Sequence, residues 1–388
     1  MKEVRRIKIY SDERYLFSQD GTRPHPMLFP FWPHWAERGD EPWFAKFDTY
    51  MRIADQLFEM TSLEEADFVV MPDDWRTVSG EVWYAKMNQE AESLYLKLAH
   101  EAKQVNKPLI IFFGSDISDR KIDHIDLKST YIFRHSGDRS NRQPRSFTWP
   151  VFGEDLIEQY CDGSFLVRKK SQKPKIGFCG FAKTPNLRNK VAEVAYQTHM
   201  LWHYRKLGEP GSKWHVLRTK LIEKLQQSPY VDTNFDVSNE MEFLDPKDPE
   251  KRNNPLKVRR RFVQNIVDSD YVLCCRGAAN YSCRIFETLC CGRIPVLIDS
   301  DRPLPYDFMV DWKEYCVWID KTETSQIAEK VADFHNQLSP TEFEELQKKC
   351  RQFWKEWISP EGFYSKLHLH FQYGDSELLS NAESSALK

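Results

Sequence analysis

The feature that most constrains the fold is the segment from Tyr271 to Asp299, which reads YVLCCRGAANYSCRIFETLCCGRIPVLID. Apolar residues at 271–275 predict a buried strand, and the small residues of the turn after it let a backbone approach a ligand closely. A helix follows the turn, and the run from Arg293 to Ile298 predicts a second buried strand. A strand, a turn, a helix and a strand in this order are typical of a parallel α/β sheet.

The start of this helix is a predicted anion site. Ser282 stands where the N-cap of the helix is expected, and a helix N-terminus offers unpaired N–H groups and partial positive charge. Arg276 and Arg284 lie on either side of that end, and Gly277 belongs to the turn before it. These features together predict a site for the phosphate groups of a ligand.

Glu287 lies about one helical turn beyond Arg284, on the same face as Thr288 and Cys291. A carboxylate in this place is better suited to accept hydrogen bonds from two ribose hydroxyls than to bind phosphate. The pattern therefore favours a nucleoside diphosphate as the ligand. The alternative is that Arg284 and Glu287 form an ordinary surface pair on a helix. Gly292 is expected to end the helix.

The same region resembles a known family, the exostosin-type glycosyltransferases, whose C-terminal motif is similar to residues 276–320. The motif has an Arg-Gly turn, a Ser-x-Arg pair with Glu three residues later, a Gly-x-Ile-Pro-Val strand, a Leu-Pro and an Asp-Trp. These fall on Arg276, Gly277, Ser282, Arg284, Glu287, Gly292, Ile294, Pro295, Val296, Leu304, Pro305, Asp311 and Trp312. A weaker likeness is the element EEADFVVMP from Glu64 to Pro72.

The resemblance implies an inverting glycosyltransferase with an α/β fold of the GT-B type. In that architecture two Rossmann-like domains with parallel sheets face a central cleft, and the C-terminal helix crosses back to the first domain. We therefore expect an acceptor domain at 1–172, a nucleotide-sugar-binding domain at 173–340, helices that pack across both domains at 341–372, and a disordered tail at 373–388. Short apolar runs that predict strands of the first sheet are Ile7 to Tyr10, Phe68 to Met71, Leu109 to Phe113 and Tyr131 to Phe133.

Further candidates for the donor site follow the first strand of the second domain. The strand is predicted to start at Lys175 and to run into a loop with Gly180, Lys183 and Arg188 that is a candidate to approach the diphosphate. The alternative is that Lys183 and Arg188 are solvated. The polar region 232–254 is interpreted as a long loop, and the basic run 257–262 as a solvated helix face. Ser339 to Glu342 form a capping box that predicts the start of a long amphipathic helix.

Inversion requires a base that takes the proton of the acceptor hydroxyl. Ligands of parallel sheets collect beyond the carboxyl ends of the strands, so aspartates that follow strands of the first domain are the candidates. They are Asp12, Asp73, Asp74 and Asp116, of which Asp74 is preferred, although each also suits a helix N-cap. Structural hydrogen bonds are expected of His25, His34 and His135, and core packing or stacking on an acceptor sugar of Trp32, Trp35, Trp43 and Trp75.

No metal or other cofactor is predicted, because two arginines and a helix N-terminus are expected to stabilise the leaving diphosphate. Two Asp-x-Asp triplets, at 268–270 and 299–301, leave open a metal-dependent transferase of the GT-A type. A non-catalytic relative that binds nucleotides or glycans is a third interpretation.

Composition limits the partners of the chain. A net charge of −3 over 388 residues gives no overall attraction to nucleic acid or to an anionic membrane. No apolar run is long enough to span a bilayer and no signal peptide is recognised, so we expect a cytoplasmic enzyme or a Golgi-lumenal one without its anchor. The expected partners are a nucleoside-diphosphate sugar, with UDP favoured over GDP, and a carbohydrate or glycoconjugate acceptor. The nine cysteines are interpreted as buried free thiols.

Overall fold

The computed structural model describes residues 5–17, 23–36, 45–80, 86–120, 122, 125–182, 213–238, 254–277 and 279–374. Within these residues the chain forms two compact units. Unit 1 contains Met1–Glu154, Asp301–Val310 and Lys355–Lys388, and unit 2 contains Asp155–Ser300 and Asp311–Trp354. The helices are α1 (Pro33–Ala36), α2 (Asp48–Leu57), α3 (Arg76–Ser79), α4 (Gln89–Gln104), α5 (Leu156–Tyr160), α6 (Lys213–Gln227), α7 (Pro255–Val267), α8 (Cys283–Cys290), α9 (Ile327–Gln337), α10 (Pro340–Phe353) and α11 (Pro360–Ser365).

Unit 1 is built on a sheet of six parallel strands in the order β2-β1-β3-β4-β5-β6. The strands are β1 (Ile7–Tyr10), β2 (Phe58–Met60), β3 (Phe68–Val70), β4 (Leu109–Phe113), β5 (Thr130–Arg134) and β6 (Ser146–Thr148). Side chains of β4 alternate between two buried apolar clusters: Ile110 and Phe112 belong to one, and Ile111 and Phe113 to the other. Both faces of the strand are therefore buried, which explains why its sequence is a continuous apolar run.

The C-terminal part of the chain supplies one of these clusters. Phe363, Tyr364 and Phe371 are buried with Ile110 and Phe112, and the hydroxyl of Tyr306 donates a 2.7 Å hydrogen bond to the carbonyl of Phe363. Residues 355–374 thus complete the core of unit 1, whereas α10 before them belongs to unit 2.

Unit 2 is built on five parallel strands in the order β11-β10-β9-β7-β8. The strands are β7 (Lys175–Phe181), β8 (Asp232–Ser238), β9 (Tyr271–Cys274), β10 (Ile294–Ile298) and β11 (Val317–Ile319). Two α/β units with parallel sheets confirm the predicted fold class. The predicted strands at 271–275 and 293–298 are present with α8 between them, and the capping box at Ser339 begins α10 as expected.

Two expectations differ from the structure of unit 2. The region from Asp232 is not a loop throughout: Asp232–Ser238 form β8, which pairs with the whole of β7, and residues 239–253 lie outside the described part. An edge strand needs apolar side chains on one face only, so its polar composition concealed it. Unit 2 also begins at Asp155 rather than at 173. Arg168 explains part of this difference, because its guanidinium pairs with the buried Asp270 at 2.6 Å.

Gly292 ends α8 as predicted. Its φ of +60° is left-handed, and the amides of Gly292 and Arg293 donate to carbonyls of the last helical turn. A Cβ at Gly292 would lie 2.3 Å from Phe165 Cε2. Two features therefore favour glycine at this position: the left-handed backbone and the close approach of the Phe165 ring.

A Gly292→Ala variant is expected to be less stable than the wild type by roughly 2–5 kcal/mol, because left-handed strain and overlap with Phe165 add. Gly163→Ala is a matched control: its φ is also positive, at +69°, but the nearest atoms belong to the flexible side chain of Glu158. It should cost only about 1–2 kcal/mol. Thermal and denaturant melts measure both variants, and equal losses would contradict the role of Phe165.

Candidate active site

The order of the strands in unit 2 defines where a ligand is expected. The chain goes from β7 outward to β8 and then crosses to β9, on the other side of β7. The chain therefore continues from β7 and from β9 toward opposite sides of the sheet, and a ligand site is expected between the carboxyl ends of these two strands. The residues at this point are Gly180 and Phe181 at the end of β7, and Cys275 and Arg276 directly after β9. Five of the predicted donor-site residues thus come from this edge of the sheet or from the helix that follows it: Gly180, Arg276, Gly277, Arg284 and Glu287.

Arg284 lies on the first turn of α8 and reaches the end of β7. Its Nη2 donates a 2.7 Å hydrogen bond to the carbonyl of Cys179, and its guanidinium lies 4.4 Å from the centre of the Phe178 ring. Gly180 makes this possible, since a Cβ there would lie 2.9 Å from Arg284 Nη2, and its φ of +143° is outside the range of most residues. Gly180 and Arg284, predicted separately, are in contact.

Arg218 of α6 holds the two strand ends and was missed by the sequence analysis. Its two terminal nitrogens each donate a 2.9 Å hydrogen bond, one to the carbonyl of Phe181 and one to the carbonyl of Arg276. Its Nε lies 3.4 Å from the sulfur of Cys275. The side chain is buried, so these bonds form away from competing water. Arg218 therefore fixes the backbone from which Arg276 projects.

Glu287 forms an ion pair with Arg259 of α7, with 2.7 Å between Oε1 and Nη1. The two side chains are only 18% and 22% exposed, respectively, and the guanidinium of Arg259 also lies over the ring of Phe262 at 5.0 Å. The interpretation of 257–262 as a solvated face is therefore wrong for Arg259. The pair places the guanidinium of Arg259 beside Glu287, the residue predicted to bind the ribose.

The turn before α8 differs in detail from the expectation. Ser282 occupies the N-cap position with extended backbone, but its hydroxyl makes no capping hydrogen bond. The amide of Gly277 donates to the carbonyl of Tyr281 at 3.1 Å, so this N–H closes the turn. Ser282 is thus correctly placed, and its predicted capping bond is absent. Lys183 and Arg188 lie outside the described residues.

The Asp-x-Asp triplets have other partners. Asp270 is fully buried and accepts hydrogen bonds from Arg168, Ser171 and the amide of Lys175, at the amino end of the sheet. Asp301 belongs to unit 1, where the amide of Ser140 donates to it at 3.2 Å. Within the described ranges no group of three or more His, Cys, Asp or Glu side chains is arranged to hold a metal ion.

In unit 1, Asp74 lies at the carboxyl edge of the sheet. Its carboxylate accepts the amide of Gly114 at 3.0 Å and the amide of Arg76 at 3.0 Å. A Cβ at Gly114 would lie 2.6 Å from Asp74 Oδ2, 3.0 Å from Trp149 and 3.1 Å from His135 Cε1. The bare backbone of Gly114 therefore allows an aspartate, a histidine and a tryptophan to gather around one point.

The histidines at this edge are neutral. Burial, followed by the charges of Arg76 and Lys46, lowers the pKa of His135 to about 3, and its ring stacks on Trp149 with 4.4 Å between centroids. Burial also lowers the pKa of His25 well below its ordinary value. His25 Nδ1 accepts the amide of Met27, which is the structural hydrogen bond expected of it.

The remaining aspartates differ in burial and partners. Asp73 is 1% exposed and accepts the amide of Phe17 at 2.8 Å, and burial raises its pKa to about 7, with the nearby charge of Asp74 adding to the shift. Asp12 caps the 3₁₀ turn Glu13–Tyr15 and pairs with Arg14 at 3.4 Å. Asp116 is half-buried after β4.

Other predicted contacts in unit 1 are structural. His34 lies 3.3 Å from the carboxylate of Glu13, with both side chains about half exposed. Trp32 and Trp75 are buried in the two clusters and Trp35 packs against one of them, whereas Trp43 lies outside the described residues. No helix in the described part of the chain is long and apolar enough to cross a membrane.

Comparison with known proteins gives a family match in the C-terminal half. Residues 198–333 match the model of the exostosin GT47 domain. No curated protein sequence matches the chain at a significant level. Similar solved structures include a glycosyltransferase from Rickettsia africae ESF-5, with 10% identity, 95% of this chain and 99% of that chain covered, and a TM-score of 0.37.

Sucrose-phosphate synthase from Thermosynechococcus elongatus is similar at 9% identity and a TM-score of 0.31, over 91% of this chain and 77% of the synthase chain. Structural similarities with TM-scores this low carry no argument about activity. The evidence on the family is therefore the match of residues 198–333 to the family model. The motif at residues 276–320 lies inside the matched range 198–333, and the match confirms the family that this motif predicted. Residues 198–333, about a third of the chain, are therefore similar to the exostosin GT47 domain, and this match supports a glycosyltransferase.

Proposed function

We propose that the enzyme transfers a sugar, with inversion, from a nucleoside-diphosphate sugar to a glycan or glycoconjugate acceptor, and that the donor is a UDP-sugar. The observation that carries this proposal is the position of Arg276 and Arg284 beside the carboxyl ends of β7 and β9 in unit 2. Two guanidinium groups beside a helix N-terminus provide the electrostatics that a diphosphate requires.

The leaving nucleoside diphosphate gains negative charge as the bond to the sugar breaks. In the proposal Arg276 and Arg284 stabilise this charge, and they take the place that a divalent cation has in metal-dependent transferases. Arg218 supports them indirectly, because it fixes the carbonyls of Phe181 and Arg276. These donors are held before substrate binds, so little reorganisation is needed during the reaction.

Glu287 is assigned to the ribose. Only Oε1 of its carboxylate is paired with Arg259 in the structure, and a carboxylate has lone pairs for further donors. The ion pair also keeps the carboxylate from rotating freely. Recognition of the ribose hydroxyls by Glu287 would distinguish a nucleotide from a bare diphosphate.

Asp74 is assigned as the base that takes the proton of the acceptor hydroxyl. It is half-buried, whereas Asp73 beside it is 1% exposed and faces Phe17. A base must come within hydrogen-bond reach of the proton it removes, which favours the more exposed carboxylate. The amides of Gly114 and Arg76 hold Asp74 in place.

An Arg284→Met variant should bind UDP about ten- to a hundredfold more weakly than the wild type, because a hydrogen bond to a charged group is lost. Arg260→Met is the matched control, since Arg260 is an exposed arginine of α7. Thermal melts against a panel of nucleotides and nucleotide sugars measure binding, as a ligand of the native state raises the melting temperature. Equal UDP-induced shifts in both variants and the wild type would overturn the donor site.

A Glu287→Gln variant should bind UDP roughly fivefold more weakly, the cost of one hydrogen-bonding partner, and should bind inorganic pyrophosphate as well as the wild type does. Pyrophosphate has no ribose, so it isolates the contribution of the arginines. Calorimetric titration with UDP and with pyrophosphate separates the contribution of Glu287 from that of the arginines. A thermal melt of the variant checks that it folds. An equal loss for both ligands would show that Glu287 acts through the phosphate site.

An Asp74→Asn variant should lower kcat by about 10²–10⁴ and leave the affinity for UDP unchanged, because asparagine cannot take the proton. Asp12→Asn is the control, since the carboxylate of Asp12 caps a helical turn. Product formation from a screen of UDP-sugars and glycan acceptors supplies the assay. A kcat within threefold of the wild type would exclude Asp74 as the base.

A further inference from the structure

Asn280 lies in the turn between β9 and α8 and is buried, with only 3% of the residue exposed. Its carboxamide makes two hydrogen bonds to a single residue, Ser300, which follows β10. Nδ2 donates to the carbonyl of Ser300 at 3.0 Å, and Oδ1 accepts from the hydroxyl of Ser300 at 2.6 Å. Because a carbonyl oxygen can only accept, it fixes which end of the amide faces it.

Ser300 is held in place by the sheet. The amide of Asp299, the residue before it, donates to the carbonyl of Ile319 in β11 at 2.8 Å. On its other side, β10 pairs with β9. The carboxamide of Asn280 therefore joins the turn to a point whose position two neighbouring strands have already set.

Other bonds of the turn act on its backbone. The amide of Gly277 donates to the carbonyl of Tyr281 at 3.1 Å, which closes the turn on itself. Arg218 donates to the carbonyl of Arg276 at 2.9 Å, which holds the beginning of the turn. Asn280 adds a contact between the later part of the turn and the neighbouring strand β10.

The two arginines of the proposed donor site depend on this turn to different degrees. The side chain of Arg284 is itself bound to the end of β7, through the carbonyl of Cys179. Arg276 follows β9 by two residues and is fixed through its backbone carbonyl, which accepts from Arg218. The turn joins these two arginines along the chain, so its conformation affects how Arg276 is placed relative to the start of α8.

A plain structural role would also suit a buried carboxamide, and Gln347 shows that role in the same unit. Gln347 is fully buried, and it both donates to the carbonyl of Arg168 and accepts from its amide, each at 2.9 Å. Arg293, directly before β10, also donates to Oε1 of Gln347, which places this carboxamide at the amino edge of the sheet. Asn280 makes a comparable pair of bonds at the carboxyl edge, beside Arg276.

We propose that Asn280 is a positioning residue of the donor site, which holds Arg276 and the start of α8 in the arrangement that a diphosphate requires. It acts through the turn, by fastening it to Ser300, and does not bind the ligand itself. This role rests on the proposed function, because it belongs to the same donor site. A turn that is held before the diphosphate binds needs little rearrangement, so loss of the contact should weaken diphosphate binding as well as stability.

An Asn280→Ala variant should bind UDP and inorganic pyrophosphate each about tenfold more weakly than the wild type, because the turn serves the phosphate groups that both ligands carry. Calorimetric titration of the full chain measures both affinities, and a thermal melt measures stability. Gln347→Ala is the matched control. It removes a comparable pair of buried hydrogen bonds, and it should lower the melting temperature and leave both affinities unchanged.

Variants of Ser300 test whether Asn280 acts through the contact. Ser300→Ala removes only the bond from the hydroxyl and should weaken the binding of both ligands by about threefold. Ser300→Thr keeps a hydroxyl and should bind both ligands as the wild type does. Ser300→Ala should add no further loss to Asn280→Ala, because the bond is already absent there. If Asn280→Ala does not fold, Ser300→Ala and Ser300→Thr decide the question.

The outcomes separate this role from the proposed function. Wild-type affinity for both ligands in Asn280→Ala, at a lowered melting temperature, would overturn the role of Asn280 and leave the donor site intact. A loss for UDP alone would also overturn it, because the effect would then concern the nucleoside. A loss in Asn280→Ala without any in Ser300→Ala would indicate a direct contact with the ligand and contradict action through the turn. A wild type that binds neither UDP nor pyrophosphate would overturn the proposed function, and the role of Asn280 with it.

Discussion

The parallel pairing of β7 with β9 is the constraint on which the proposed donor site depends. The chain continues from β7 to the edge strand β8 and from β9 to β10 on the other side, and ligands of parallel sheets are expected between such strand ends. The pairing alone would leave two flexible strand ends. Arg218 joins their carbonyls, and Arg284 joins the end of β7 to the first turn of α8. The cations of the site are thus also part of its framework, so substitutions there affect binding and local order together.

The sequence predicts the centre of unit 2 well because its strands are buried on both faces. Continuous apolar runs specify β9 and β10, and Gly292 specifies the end of α8. Prediction fails for β8, which is an edge strand whose polar residues read as a loop. Periodicity also fails for Arg218, because an arginine on an amphipathic helix has the same pattern whether it is solvated or reaches backbone carbonyls.

Sequence patterns also fail to predict which partners charged side chains find. Arg259 and Arg260 are neighbours in a basic run, but Arg259 pairs with Glu287 and Arg260 is exposed. Two Asp-x-Asp triplets left a metal-dependent enzyme open, but Asp270 of the first triplet accepts three donors at the amino edge of the sheet. Spacing identifies which residue types are available, and the partner that each one finds depends on contacts between segments far apart in the chain.

Asp73 and Asp74 show how neighbouring carboxylates acquire different properties. Burial raises the pKa of Asp73 to about 7, so its protonated form is favoured in the folded state. Its contribution to stability is therefore present below the ordinary aspartate pKa near 4 and is lost as the pH rises through about 7. Asp74 is more exposed, and the amides of Arg76 and Gly114 donate hydrogen bonds to its carboxylate. A base must reach the proton that it removes, which suits the more exposed Asp74, whereas burial makes Asp73 a source of pH-dependent stability at the same edge.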